Sequence, residues 1–401
     1  MQIIFDEKKQ RVPIYCWATD SDSEVLKQLC DTANLDIVHH HVAAMADAHV
    51  GLGATIGSVF GTVDAVIPSA VGVDIGCGMC AMPTANPWAE VEPHAHDFLN
   101  IFTNAVFKLI PLGTDGYKEP QPWKAAQGSH KGFDYESQYD TLTREIQKQA
   151  PYKLGSLGGG NHFIELQKDQ DERLWVMIHS GSRHVGKEIA DFYIRLARQI
   201  NQDMKAGVPR DLSYLPTATE EGGAYLSDMT WALNYAYESR LRMMDRILSA
   251  FGQVMHHFGL TLQYDPADLI NIHHNYAALE EHFGRRVWVH RKGATQATRG
   301  LTGIIPGSMG SKSYIVEGKG NPDSFQSCSH GAGRRLSRTE AFRRITKADL
   351  KQAMGEVVLR HASDVRDEAP QAYKNIDEVM TAQSDLVDIR VTLTPLAVVK
   401  G

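Results

Sequence analysis

The run Leu174-Trp175-Val176-Met177-Ile178 leads at once into His179-Ser180-Gly181-Ser182-Arg183-His184, and then into an apolar stripe at Ile189, Phe192, Leu196, Ile200 and Met204. This stretch decides the class of fold. An unbroken short apolar run suits a buried strand, and recurrence at every third or fourth position suits a helix with one face in a core. The helix is expected from about Val185 to Lys205, with Gly207 as its stop signal. A longer one is expected from about Ser227 to Phe258, on Leu233, Tyr237, Leu241, Met244, Leu248, Phe251, Met255 and Phe258, with Gly259 ending it. Such stripes are read as core packing. A third helix is expected from Thr339 to about Arg360. Arg286–Val289, Ser313–Val316 and Ile389–Val399 read as further strands, and Pro395 implies an edge position or a break in the last of them. Strands and helices interleave without a regular βαβ rhythm. The expectation is therefore a mixed α/β, or α+β, fold. It forms a single large domain over residues 1–401, with central β-sheets flanked by helices and a helical excursion at about 185–260.

Composition narrows the function classes. The 401 residues are 43% hydrophobic and 22% charged, an ordinary globular balance. The first ten residues carry charges where a secretory leader needs an apolar stretch, and Val63–Met82 is broken by Asp64, Pro68 and Asp74. A cytoplasmic protein with no membrane partner is expected. Cys16, Cys30, Cys77, Cys80 and Cys328 are few, odd in number and scattered, which fits a reducing compartment. A net charge of −7 argues against a protein that coats nucleic acid, but leaves room for a local basic groove. The 18 histidines are a generous number, and their positions carry the rest of the reading.

Metal-competent residues recur in glycine-rich turns. Asp74 and Cys77 lie in Gly72-Val73-Asp74-Ile75-Gly76-Cys77-Gly78-Met79, and Asn161, His162 and Glu165 follow three glycines in Leu157-Gly158-Gly159-Gly160-Asn161-His162-Phe163-Ile164-Glu165. His179 ends a strand, with Arg183 able to grip a phosphate through its planar fork. His274 lies in Asn271-Ile272-His273-His274-Asn275-Tyr276. Ser308 and Ser313 lie in Pro306-Gly307-Ser308-Met309-Gly310-Ser311-Lys312-Ser313. His330 lies in Ser327-Cys328-Ser329-His330-Gly331-Ala332-Gly333-Arg334, with Arg335 and Arg338 beyond. Each alone has a plainer explanation: a buried cysteine beside a turn-forming aspartate, or a core histidine ahead of a helix. Together they read as a polynuclear metal centre beside a phosphate-binding pocket. Cys77 and Cys80 form one C-x-x-C pair without a second, so a structural zinc site is not indicated, and no GxxxxGK[ST] loop is present.

In this order, GVDIGCGM, GGGNHFIE, HSGSR, HHNYA, PGSMGSKSYIV, SHGAGR and the terminal VVKG resemble the RtcB family of RNA-splicing ligases, over roughly Asp47 to Gly401. The resemblance implies two Mn2+ ions held by Asp74, Cys77, His162, His179 and His274, with Cys77 between them. It implies GTP as cofactor and His330 as the residue that carries the guanylate. Asn161, Glu165, Ser308, Ser313, Gly333, Tyr373 and Lys400 would contact the nucleotide, while Arg183, Arg334 and Arg338 would hold phosphates. The implied partner is RNA with a 2′,3′-cyclic phosphate or 3′-phosphate end and a 5′-hydroxyl end, joined in tRNA splicing or RNA repair. A protein activator is left open, and a monomer is the default. Thiolate and imidazole ligands also suit zinc, so zinc is expected to inhibit.

Two positions depart from the family pattern: Leu52 stands where it usually has lysine, and His184 where glycine usually follows HSGSR. Two other activities therefore stay open. One is a paralogue that caps 3′-phosphate ends of RNA or DNA with guanylate without efficient sealing. The other is a metal-dependent phosphoesterase. The basic run Arg334, Arg335, Arg338, Arg343 and Arg344 suits either an RNA groove or a solvated helix face.

Overall fold

A computed structural model describes residues 1–20, 22–123 and 135–401, with about equal weight given to sheets and helices. The strand run that opened the sequence reading is Arg173–Ser180, and it lies inside an eight-stranded sheet. The order across that sheet is Ile270–His273, Gly78–Pro87, Arg173–Ser180, Phe163–Asp169, Val387–Lys400, Ser313–Gly318 and Thr302–Ile305; Val358–His361 adds parallel to Val387–Lys400. A six-stranded sheet runs Gln2–Ile4, Ile14–Cys16, Val38–His49, Ile56–Thr62, Arg285–Lys292 and Asn275–His282. These sheets flanked by helices are the mixed α+β arrangement expected.

Strand register explains how distant motifs meet. Lys400 pairs with Phe163, Phe163 with His179, His179 with Met79, and Met79 with Ile272, so one row across the sheet carries residues from five strands. His274 is the single residue between Ile270–His273 of one sheet and Asn275–His282 of the other. Its N–H donates to the Cys77 carbonyl (2.8 Å) and its carbonyl accepts from Ala294 N–H (3.1 Å), which fixes it at the junction. A two-stranded ribbon, Ala294–Gln296 with Ser327–Ser329, ends directly before His330.

The helix after Arg183 runs His184–Asp203, as expected. The long helix begins earlier than expected, at Glu220, because Thr219 caps it by accepting from Gly222 N–H; it ends at His257. Its buried face includes Met229, Ala232, Ala236, Met243, Ile247 and Phe251, and Phe251 meets Phe102 of helix Ala95–Leu109 at 5.3 Å between ring centres. Tyr237, expected in the stripe, is exposed.

Two expectations are corrected. Thr339 to Arg360 is not one helix but helix Arg338–Arg344, helix Lys347–Met354 and strand Val358–His361. Thr346 and Asp349 form a reciprocal capping box that starts the second helix afresh, and the chain turns at Gly355 into the sheet. Pro395 is neither at an edge nor at a break, since Val387–Lys400 is continuous and central. On one side that strand pairs with Ser313–Gly318 through Leu393 and with Val358–His361 from Ala397, and on the other its register shifts at Pro395. The proline sits in the gap between partners, at a bulge, where a missing N–H is tolerated. Among the described residues no helix is long and apolar enough to cross a membrane.

Candidate active site

The five residues singled out as metal ligands come together. Cys77 Sγ lies 3.5 Å from His162 Nε2 and 3.3 Å from His179 Nε2. His162 Nε2 lies 3.1 Å from Asp74 Oδ2, and His179 Nε2 lies 3.3 Å from His274 Nε2. The order Asp74, His162, Cys77, His179, His274 thus forms a chain of donors with the sulfur in its middle. Second contacts aim the rings: His162 Nδ1 is 3.0 Å from the Leu157 carbonyl and His179 Nδ1 is 3.1 Å from the Asn161 carbonyl. Each contact places the proton on Nδ1 and turns the Nε2 lone pair inward.

Electrostatics fits a cation at this place. Burial holds His179 and His274 well below the usual imidazole range, so both present neutral nitrogens. Burial and the neighbouring Asp74 raise the Cys77 thiol well above its ordinary value. A divalent ion inverts that balance by taking up the thiolate. Cys77, His162 and His179 are all buried with their donor atoms within 4.8 Å of one another, which suits a soft transition ion. Gly181 is required here: a methyl on it would overlap the Asp74 carboxylate.

Two residues that the sequence reading did not assign hold this cluster. Arg240 is fully buried in the long helix. It donates to the carbonyls of Gly76 and Ser180 (2.9 Å each) and to Asn271 Oδ1 (2.7 Å), and it contacts His273 Nδ1 at 3.1 Å. It thereby ties together three of the motifs. Its signal in the sequence is an arginine between Ala236 and Met243 on the apolar face of a helix. Asp47 is also fully buried, and its Oδ2 accepts from the backbone N–H of His330 (3.1 Å) and Gly331 (3.3 Å). Its signal is a carboxylate inside the apolar strand Val38–His49.

His330 stands between two cavities and lines both. One is a narrow cleft of about 50 Å3 that also touches Asn161, Ser308, Gly333, Glu368, Tyr373 and Lys400. The other, about 380 Å3, reaches Asp74, Cys77, His274, Leu52, Arg334 and Arg338. The His330 and His274 rings are 4.9 Å apart and edge-on. In the cleft, Glu368 is a buried hub: Lys400 Nζ lies 3.2 Å from it, Arg334 3.1 Å, and Arg338 and Tyr373 OH also bond it. Burial opposes its charge, but Lys400 and Arg338 more than compensate, and its carboxyl is held down to about 2.

Other expected residues are placed less directly. Glu165 and Ser313 are buried and line neither cavity; Ser313 Oγ accepts from Gln167 Nε2 (3.2 Å), which also donates to Glu165 (2.6 Å). Burial pushes the Glu165 carboxyl up to about 8 against the opposing charge of Lys400. Arg183 also lines neither cavity. It donates to Ser156 Oγ (3.0 Å) and the Gly113 carbonyl (2.8 Å), beneath the Gly158 turn, where φ is +103° and a side chain would meet it. Arg343 and Arg344 are exposed and face Glu340 of their own helix.

The family model described as tRNA-splicing ligase RtcB matches residues 28–401. The chain is 41% identical over 404 residues to RNA-splicing ligase RtcB1 of Escherichia coli, with 98% of each chain covered. RNA-splicing ligase RtcB of a second Escherichia coli strain is 40% identical at the same coverage. A tRNA-splicing ligase RtcB of Thermococcus kodakarensis is 30% identical over 470 residues, covering 98% of this chain and 96% of that one.

Proposed function

The chain belongs to the RtcB family, and from that premise we propose that it is a GTP-dependent RNA ligase. It joins a 2′,3′-cyclic phosphate or 3′-phosphate end to a 5′-hydroxyl end, in tRNA splicing or RNA repair. The observation that carries this reading is the position of His330, shared between a cleft lined by Asn161, Ser308, Tyr373 and Lys400 and a cavity that reaches Asp74, Cys77 and His274. RNA ligation is the activity in the relatives' names.

The proposed work of each residue follows from its place. A ring nitrogen of His330 attacks the α-phosphate of GTP through its lone pair; a P–N bond forms and pyrophosphate departs. Asp47 holds the His330 backbone and ring through that transfer. A 2′,3′-cyclic end is first opened by water to a 3′-phosphate and a 2′-hydroxyl; an oxygen of the RNA 3′-phosphate then takes the guanylate, breaking the P–N bond. The 5′-hydroxyl attacks the activated 3′-phosphate, and GMP leaves. Asn161, Ser308, Gly333, Tyr373 and Lys400 line the cleft where guanosine is to be held, and Glu165 and Ser313 support its wall. Arg334 and Arg338 face the RNA side, and Arg183 acts by bracing the loop around Gly158.

Asp74, Cys77, His162, His179 and His274 would hold two Mn2+ ions. Metal there neutralises charge on the phosphoryl groups in transfer. The placement of the Cys77 sulfur 3.5 Å from His162 Nε2 and 3.3 Å from His179 Nε2 supports the thiolate as a ligand. The test is sealing of a 3′-phosphate, 5′-hydroxyl RNA pair with GTP and Mn2+. Joined product from the wild type and none from His330→Ala is expected. Equal product from both would reject His330 as the carrier, and GMP-capped ends without joining would favour the capping activity.

A further inference from the structure

The end of helix His184–Asp203 and the turn after it form a groove of about 550 Å3, lined by Arg195, Arg198, Lys205 and Arg210, with Gln199 and Gln202 between them. Among the described residues no acidic side chain lines it, and the nearby Asp203 accepts from Gln199 Nε2 at 2.9 Å. In a chain of net charge −7 this is a local reversal of sign. Arg195, Lys205 and Arg210 are exposed, and no described carboxylate forms an ion pair with them, whereas Arg198 is paired with Asp211 at 2.6 Å. The groove therefore presents three cations outside any described ion pair, beside the Gln202 amide and the amides of Gln199 and Asn201, whose Nε2 and Nδ2 groups donate to Asp203 and to the Tyr214 carbonyl, a set matched to phosphate oxygens and not to an apolar or cationic ligand.

The groove adjoins the catalytic cavity. Ile194 lines the cavity, and Arg195, the next residue of the same helix, lines the groove. Asp211 forms part of the partition: its carbonyl accepts from Ser69 Oγ at 2.5 Å, and Ser69 and Leu52 line the cavity. The same helix begins at His184, shortly after the strand Arg173–Ser180 that carries His179, so at about 1.5 Å per residue Arg195 lies roughly 16 Å along it from its start. An RNA strand leaving the cavity along this helix covers that length in a few nucleotides.

We infer that this groove is a second RNA subsite, binding backbone phosphates a few nucleotides from the end seated in the cavity. The inference rests on the RNA ligase reading for the identity of the strand. It also gives Leu52 a context: where the family usually has a lysine at the cavity rim, this chain has an exposed leucine, and cationic charge lies instead beyond Asp211.

The test compares the wild type with an Arg195→Ala, Lys205→Ala, Arg210→Ala triple variant, leaving Arg198 and its ion pair in place. Binding of a long 3′-phosphate oligoribonucleotide and of a trinucleotide with the same end is measured over a salt series, with guanylylation by GTP as the control for the centre. The triple variant should bind the long RNA at least tenfold more weakly at low salt, with the log–log salt slope shallower by about 2. Trinucleotide binding and guanylylation should match the wild type. Equal long-RNA affinity and slope in the two proteins overturns the groove, whatever the activity. Weakened binding in a protein that neither guanylylates nor seals leaves the groove standing and overturns the ligase reading instead. Trinucleotide binding reduced as much as long-RNA binding also overturns it, because the effect would then lie in the cavity.

Discussion

Asp47 Oδ2 and His330 Nδ1 lie 2.7 Å apart, close in distance though out of line for a regular hydrogen bond, and the same carboxylate oxygen accepts the backbone N–H of His330. Burial alone would raise the Asp47 carboxyl, but His330, His49 and Lys374 outweigh it and keep it charged. A buried carboxylate beside an imidazole both orients the ring and stabilises positive charge that develops on it when the other nitrogen bonds phosphorus. Asp47→Asn should therefore slow guanylylation roughly 100-fold while leaving GTP affinity nearly unchanged. Single-turnover labelling, with a melting curve as control for folding, checks this; a variant that loses affinity but not rate would assign Asp47 a structural role only.

The donor chain from Asp74 to His274 predicts strong coupling between metal and stability. An ion at 100 times its Kd adds about 2.7 kcal/mol to the folded state. Melting in chelator and in Mn2+ should differ by several degrees for the wild type and not at all for Cys77→Ala. Gly181→Ala, which crowds Asp74 without removing any ligand, should lose most of that increment. Zn2+ should raise the melting temperature as much or more while inhibiting joining, since thiolate and imidazole hold it tightly.

Glu368 gives a pH prediction. Its carboxyl is depressed from an ordinary 4.5 to about 2, chiefly because Lys400 and Arg338 compensate its burial. A depressed folded-state value contributes stability above the unfolded value, and that stability is lost as pH falls from about 4.5 towards 2. The full contribution is on the order of 3 kcal/mol. Glu368→Gln should be destabilised by about that amount at pH 7. The gap from wild type should narrow in acid-range denaturant titrations below about pH 4.5. A gap independent of pH would show that packing, not charge, is what Glu368 supplies.

Leu52 is 51% exposed on the rim of the cavity, while its carbonyl accepts from the buried Lys292 Nζ. Leu52→Lys adds a cation at a place open to a phosphate, without disturbing that backbone contact. Sealing of RNA ends should rise several-fold with guanylylation unchanged. If the wild type only caps ends and Leu52→Lys seals them, this position separates the two activities; no change in either step would make the departure neutral.

Asp74, Cys77 and His162 were legible as metal-competent because each is an unusual residue type for a glycine-rich turn, whereas His179 at a strand end and His274 between two strands joined the proposed set through the family resemblance. Arg240 and Asp47 were not, because their roles depend on which segments become neighbours: Arg240 joins Gly76, Ser180 and Asn271, and Asp47 reaches across to His330. Helix His184–Asp203 was legible from its stripe. The false helix through Thr339–Arg360 overran Thr346 and Asp349, whose capping pair marks a new start. Pro395 was misplaced because the rule against proline in central strands assumes one continuous partner, and here the partner changes beside it.

The most direct test incubates the protein with Mn2+ and GTP labelled at the α-phosphate, beside His330→Ala, and then denatures both. Acid-labile, alkali-stable label on the wild type and none on the variant is the predicted result. An unlabelled wild type with metal demonstrably bound would contradict the guanylyl-histidine and turn the assignment toward a phosphoesterase.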